Sequence, residues 1–128
     1  MVNCLTFPWM HENGAVMKNL FYVPETVRLQ GSQECFDRFL HGPGGLMVER
    51  IVSYAHTTPA GEWYDQVWDE WVTVLEGEAK LGYEDGREIA LGRGDCVFLP
   101  RRVRHRVVYT SSPCIWLAVH GDLVPSGA

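Results

Sequence analysis

The sequence predicts an all-β fold, a sandwich or closed barrel, and three observations carry that prediction. Strand-like runs follow one another from Leu46 onward, at 47–56, 62–66, 70–76, 79–83, 87–91, 96–99, 103–109 and 114–120. Compact turn signals separate them: Pro59-Ala60-Gly61, Glu76-Gly77-Glu78, Glu84-Asp85-Gly86, Gly92-Arg93-Gly94 and Ser111-Ser112-Pro113. Helical periodicity is almost absent from the same region. Many short strands at regular spacing bury their apolar faces only by packing sheet on sheet or by closing into a barrel.

Ahead of the strands, residues 1–16 contain Pro8, Asn13 and Gly14 without clear periodicity and read as an irregular arm. Met17-Lys18-Asn19-Leu20-Phe21 has the form of a second translation start. Ser32 is placed to cap a short helix running to about Leu40, with Phe36, Phe39 and Leu40 on one face. Gly42-Pro43-Gly44-Gly45 then breaks the chain. The expected organisation is an N-terminal arm with one short helix over 1–45 and a β-barrel over 46–128.

Composition narrows the function classes. A chain of 128 residues with 46% apolar content is long enough for one domain with a real core. Its net charge of −5 speaks against a nucleic-acid surface, which needs a basic footprint. No apolar run is long enough to span a membrane, and the N-terminus lacks a basic segment followed by an apolar one, so the expected location is the cytoplasm. Cys4, Cys35, Cys96 and Cys114 lack any C-x-x-C spacing and read as reduced thiols, Cys96 and Cys114 as small hydrophobes within strands.

The chemistry concentrates around Gly94-Asp95-Cys96-Val97-Phe98-Leu99-Pro100 and His105. Val103, His105 and Val107 alternate with Arg102, Arg104 and Arg106, so a period-2 strand turns the histidine towards the apolar interior and the arginines towards water. An imidazole in that setting needs a polar partner, and Glu70 is the upstream residue able to supply one. The arginine run, with Arg101 included, reads as a solvated strand face paired with surface acids. His120 shares a face with Trp116 and Ala118 and reads as a core histidine with a backbone partner.

These residues resemble the two motifs of the cupin superfamily. Glu70 stands seven residues before Gly77, as in the first motif, G-x5-H-x-H-x3/4-E-x6-G. Gly94, Pro100 and His105 fit the second, G-x5-P-x-G-x2-H-x3-N. The resemblance covers roughly residues 46–120 and implies a small jelly-roll barrel whose mouth holds a metal or a ligand. Glu49-Arg50-Ile51-Val52-Ser53, Trp63-Tyr64-Asp65-Gln66 and Ile115-Trp116-Leu117-Ala118-Val119-His120 further resemble short single-domain bacterial cupins.

The departures are as informative. The H-x-H pair is missing: Tyr64 and Gln66 fill its positions with a three-residue spacer, Trp63 and Asp65 with a four-residue one. Arg102 replaces the second motif's glycine and Tyr109 its asparagine. Glu70 and His105 remain as metal ligands, with Gln66 or Asp65 adding an oxygen; adjacent residues face opposite sides of a strand, and the three-residue spacer favours Gln66. His56 is a spare ligand. Such a set suits Fe(II), Mn(II), Ni(II) or Zn(II). Tyr64 and Glu70 are the candidate acid–base groups, burial being expected to raise the Glu70 pKa. The reading is a metal-dependent enzyme acting on a small polar molecule in the barrel mouth. The alternative is a non-catalytic binding or sensing cupin with a degenerate metal site. Trp71, opposite in facing to Glu70, puts aromatic surface outside the barrel that needs cover from the N-terminal segment or from a second subunit, and a homodimer through a sheet face is the expectation.

Overall fold

The computed structural model describes residues 2–3, 9–25 and 34–127. Its strands are β1 (Val2–Asn3), β2 (Met10–Glu12), β3 (Ala15–Met17), β4 (Glu34–His41), β5 (Met47–Ser53), β6 (Asp69–Glu76), β7 (Ala79–Tyr83), β8 (Glu88–Leu91), β9 (Cys96–Leu99), β10 (His105–Thr110) and β11 (Cys114–Gly121). A six-stranded sheet in the order β1-β4-β5-β11-β6-β9 faces a three-stranded sheet, β10-β7-β8, and β2-β3 form a separate hairpin. β1 runs parallel to β4, and every other pairing is antiparallel. The core between the sheets is built on Val72, Val74, Leu81, Leu99, Val107 and Trp116. This is a jelly-roll β-barrel, as the strand spacing predicts.

Two expectations are corrected. The stretch read as a helix to Leu40 is strand β4 over 34–41, paired with β5 from Glu34↔Ser53 to His41↔Met47; Ser32 lies outside the described residues. The spacing of Phe36, Phe39 and Leu40 suits a helix, but pairing with β5 decides otherwise, because both faces of β4 find cover. Glu34 and Phe36 point into the barrel, whereas Cys35 packs with Val52 and Ile115 in a second cluster. The barrel sheet therefore starts before residue 46. The run at 62–66 is not a strand either; it contributes an isolated bridge between Tyr64 and His105.

Cys35 and Cys114 are buried, and burial pushes the Cys114 thiol up to about 12. Cys96 is free but exposed, on the edge strand β9.

Outside the sheet, residues 18–23 are tied down by buried charge. Arg50, 1% exposed, donates to the carbonyls of Leu20 and Tyr22. Lys18 Nζ lies 3.4 Å from Asp37 Oδ2 and 4.9 Å from the centre of the Trp9 ring. Charges this deep need partners of both kinds, ionic and hydrogen-bonding, and Asp37 on β4 serves Lys18 directly and stands 4.0 Å from Arg50.

The motif turns are explained by backbone geometry. Arg102 has φ = +64°, the left-handed region that favours glycine, which accounts for glycine at that place in the related motif. Gly77 has φ = +89°, and a Cβ there would stand 2.3 Å from Ser111 Oγ and 2.5 Å from the Pro113 carbonyl. Gly77→Ala combines left-handed strain with a backbone clash, so we expect a loss of about 2–4 kcal/mol, read as a lower urea midpoint at unchanged slope.

Candidate functional site

The interior polar groups converge on a single cavity near one end of the barrel. Glu34, Glu49, Tyr64, Gln66, Glu70, His105 and His120 line it together with an apolar wall, and its empty volume is about 480 Å³ with the open mouth included. Strand register explains the convergence. His120 on β11 is directly opposite Glu70 on β6, and Glu49 on β5 is opposite Ala118, one same-face position along from His120. Directly opposite and diagonal neighbours on one sheet face are within side-chain reach.

Each contact can be stated. His120 Nε2 lies 3.0 Å from Glu49 Oε1 and 4.0 Å from Glu70 Oε2. A carboxylate only accepts, so Nε2 carries the proton that Glu49 receives. Arg38 Nε, at 3.4 Å from Glu49 Oε2, adds a second positive group from the barrel exterior. His105 Nδ1 is 3.1 Å from the Val103 carbonyl, which makes Nδ1 the donor and leaves Nε2 as a free acceptor. That Nε2 stands 4.0 Å from Glu70 Oε1, beyond hydrogen-bond reach.

Tyr64 is positioned through the backbone. Its N–H donates to the His105 carbonyl at 2.8 Å, and the His105 N–H donates back at 3.2 Å. The two rings stack with centroids 5.5 Å apart and planes at 21°. The Tyr64 hydroxyl donates to Glu34 Oε1 over 3.4 Å.

The alternation at residues 65 and 66 resolves cleanly. Gln66 lines the cavity, and the Arg102 N–H donates to its carbonyl at 2.9 Å. Asp65 lies outside, 3.3 Å from Arg102 Nη1 and 3.5 Å from Arg104 Nε. Arg101 is paired likewise with Asp69 and Asp122 and Arg104 also with Glu84, whereas Arg106 departs from the expected solvated pairing: it donates to the Thr58 carbonyl and lies over the Trp63 ring. His56 stands off the cavity wall, its Nε2 3.7 Å from Glu34 Oε1. The expectation of a backbone partner for His120 is overturned: its partner is the Glu49 side chain, and it belongs to the cavity.

Glu34, Glu49 and His120 are thus site residues that sequence reasoning passed over. Glu49 shares its strand face with Ile51, and that alternation was available as a signal. Glu34 sits in the segment whose spacing suggests a helix, and only its pairing with β5 turns it inward.

Burial shapes the titration of these groups. Glu70, 6% exposed, has its pKa raised by desolvation, with His120, His105 and Gln66 pulling the other way. Desolvation likewise raises Glu34, opposed by His56 and Tyr64. The Tyr64 hydroxyl is raised by burial and then by the Glu34 and Glu70 charges. Burial pulls His120 down, but its hydrogen bond to Glu49 and the Glu70 charge outweigh that and leave it raised.

A first-row metal ion sets a geometric standard for this donor set. Donors adjacent on such an ion, at bond lengths of about 2.0–2.2 Å, stand roughly 2.8–3.6 Å apart, from octahedral to tetrahedral geometry. Glu70 is 4.0 Å from both imidazole nitrogens, and the one on His120 is committed to Glu49. The Tyr64 hydroxyl is committed to Glu34. Among the described residues, no three His, Cys, Asp or Glu side chains are grouped as ligands. The residues present do not fit the metal centre that the cupin motifs imply.

The pKa directions fix a pH dependence. Glu34, Glu70 and His120 bind their protons more tightly in the folded chain, above the ordinary 4.5 and 6.5. Their contribution is complete below those ordinary values and is lost as pH rises through the folded ones. Asp69 behaves oppositely: the Arg101 side chain, then its backbone N–H, hold it well below 3.8, so its contribution fails only when pH falls through that lowered value. The melting temperature should therefore peak at roughly pH 4–6 and decline towards pH 8. Melting curves across that range should show a flatter decline in Glu70→Gln than in the wild type.

Comparison with known proteins agrees with the fold. The sequence profile described as "Cupin domain" matches residues 51–120. A candidate mannose-6-phosphate isomerase from Ralstonia eutropha JMP134 is 38% identical, with 84% of this chain and 98% of that one covered and a TM-score of 0.75. A cupin superfamily protein from Desulfitobacterium hafniense DCB-2 is 13% identical over 73% of this chain and 82% of its own, with a TM-score of 0.63. The EutQ protein of Clostridium difficile is 16% identical over 79% and 80%, with a TM-score of 0.60. At such low identity the last two likenesses speak for the fold alone. No curated protein matches the sequence. With its profile match, its jelly-roll barrel and a relative of 38% identity, the chain belongs to the cupin family.

Proposed function

We propose that this cupin binds a small polar molecule in the barrel mouth and acts on it by proton transfer through its own carboxyl and imidazole groups. The observation that carries the reading is the setting of Glu70, nearly buried between His105 and His120, with its pKa raised by desolvation. A carboxyl group raised by burial inside a cavity holds and releases a proton nearer to working pH than an exposed one. In this scheme Glu70 gives or takes the proton at a carboxyl oxygen. His105 Nε2 is the acceptor, because Val103 holds the proton on Nδ1. Tyr64, hydrogen-bonded to His105 through the backbone and to Glu34 through its hydroxyl, positions the pair.

The sugar phosphate in the name of the Ralstonia relative is not adopted for this chain. No lysine or arginine lines the cavity, and a phosphate would face Glu34, Glu49 and Glu70. A metal-dependent reaction is not adopted either, on the donor spacing given above. The half-buried residues Trp71, Phe98, Leu117 and Val119, on the sheet face opposite the cavity, support a homodimer. A monomer in sedimentation at micromolar concentration would overturn that part.

Elemental analysis tests the metal-free reading on protein purified without chelator or metal-affinity resin. The metal content should lie well below one ion per chain and remain so after incubation with Fe(II), Mn(II), Ni(II) or Zn(II). Near-stoichiometric metal that disappears in Glu70→Gln and His105→Ala would overturn it. In a melting screen of small polar molecules, a true ligand at a hundred times its Kd stabilises by about 2.7 kcal/mol. That shift should vanish in Glu70→Gln.

A further inference from the structure

Carboxyl groups dominate the polar lining of the cavity: Glu34, Glu49 and Glu70. Two of its donors are committed, the Tyr64 hydroxyl to Glu34 and His120 Nε2 to Glu49. His105 Nε2 remains open, on a side chain only 5% exposed, with Glu70 Oε1 4.0 Å away. Hydrogen-bond complementarity then asks for a ligand group that donates.

Charge identifies the group. An ammonium head needs acceptors around it at about 2.7–2.9 Å. Glu70 Oε1 and His105 Nε2, 4.0 Å apart, offer two such acceptors side by side. No lysine or arginine lines the cavity to supply a positive charge from the protein. Around the polar end, Ile51, Val72, Leu99, Val107 and Trp116 form an apolar wall suited to a short hydrocarbon body. We propose that the cavity takes a small primary amine in its ammonium form, with the charged head between His105 and Glu70 and the aliphatic part against the apolar wall. This rests on the reading of the cavity as a small-molecule site and adds the ligand's chemical class.

Ligand-detected NMR with three probes of one size tests it: n-butylammonium, 1-butanol and butyrate, titrated to about 50 mM, the range where a minimal fragment of millimolar Kd is visible. The expected result is saturable binding of butylammonium alone, weakened roughly tenfold or more in Glu70→Gln and in His105→Ala, with melting curves confirming that both variants fold. Butylammonium binding that is unchanged in both variants would overturn the proposed seat of the head group. Binding of butanol or butyrate as well as or better than the amine would overturn the amine class and leave the small-molecule site standing. Failure of all three probes, with stoichiometric uptake of Zn(II) or Ni(II) by the same protein, would overturn both.

Discussion

Strand β11 hydrogen-bonds to β5 on one side and β6 on the other, and its register decides which polar side chains can meet inside the barrel. Because side chains alternate strictly along a strand, a slip of β11 by one residue would send His120 to the outer face, away from Glu49 and Glu70. The apolar residues of the same face resist such a slip, since Trp116 and Ala118 would leave the core with it. The cavity chemistry is therefore held in place by the hydrophobic pattern rather than by the polar contacts themselves. Those contacts are long, at 4.0 Å on either side of Glu70, and would not by themselves specify a register.

Three buried glutamates in one small cavity are compensated unequally. Glu49 accepts from the His120 imidazole at 3.0 Å and has the Arg38 guanidinium at 3.4 Å, so it is answered within the protein. Glu34 and Glu70 have weaker company, and burial pushes both towards the neutral form. A carboxyl group raised by desolvation stores a preference: anything that brings positive charge or strong donors into the cavity is favoured over the buried anion alone. That asymmetry separates the structural member of the trio from the two able to respond to a ligand.

The outer face follows the same physics with a different result. Arg50 and Lys18 are as deeply buried as the cavity acids, yet backbone carbonyls, Asp37 and aromatic rings surround them. They fasten residues 18–23 across β4 and β5 and expose nothing to a ligand. Near the cavity, the paired backbone bonds between Tyr64 and His105 do comparable work, because they bring a segment without regular structure up to the start of β10. Arg102 completes this corner in a left-handed conformation, donating its N–H to Gln66 and a guanidinium N–H to Asp65. Gln66 is thereby held facing inward and Asp65 outward.

Much of this was legible in the residues alone. The alternation Val103-His105-Val107 against Arg102-Arg104-Arg106 assigns the inward histidine, and the spacing from Glu70 to Gly77 marks the strand that carries its counterpart. Turn residues at intervals make the fold all-β, since local turn chemistry and period-2 patterning need no distant partner to be read. Other assignments depended on partners far away in the chain. Glu34 becomes a cavity residue because β4 pairs with β5 in place of a local helix, His120 finds Glu49 across a strand pair spanning 71 positions, and Gln66 rather than Asp65 turns inward because Arg102 and Arg104 hold Asp65 outside. The sequence by itself determined the fold class and the Glu70–His105 pair. Tertiary structure decided the rest of the cavity, because cross-strand register is a property of two segments at once and neither segment states it alone.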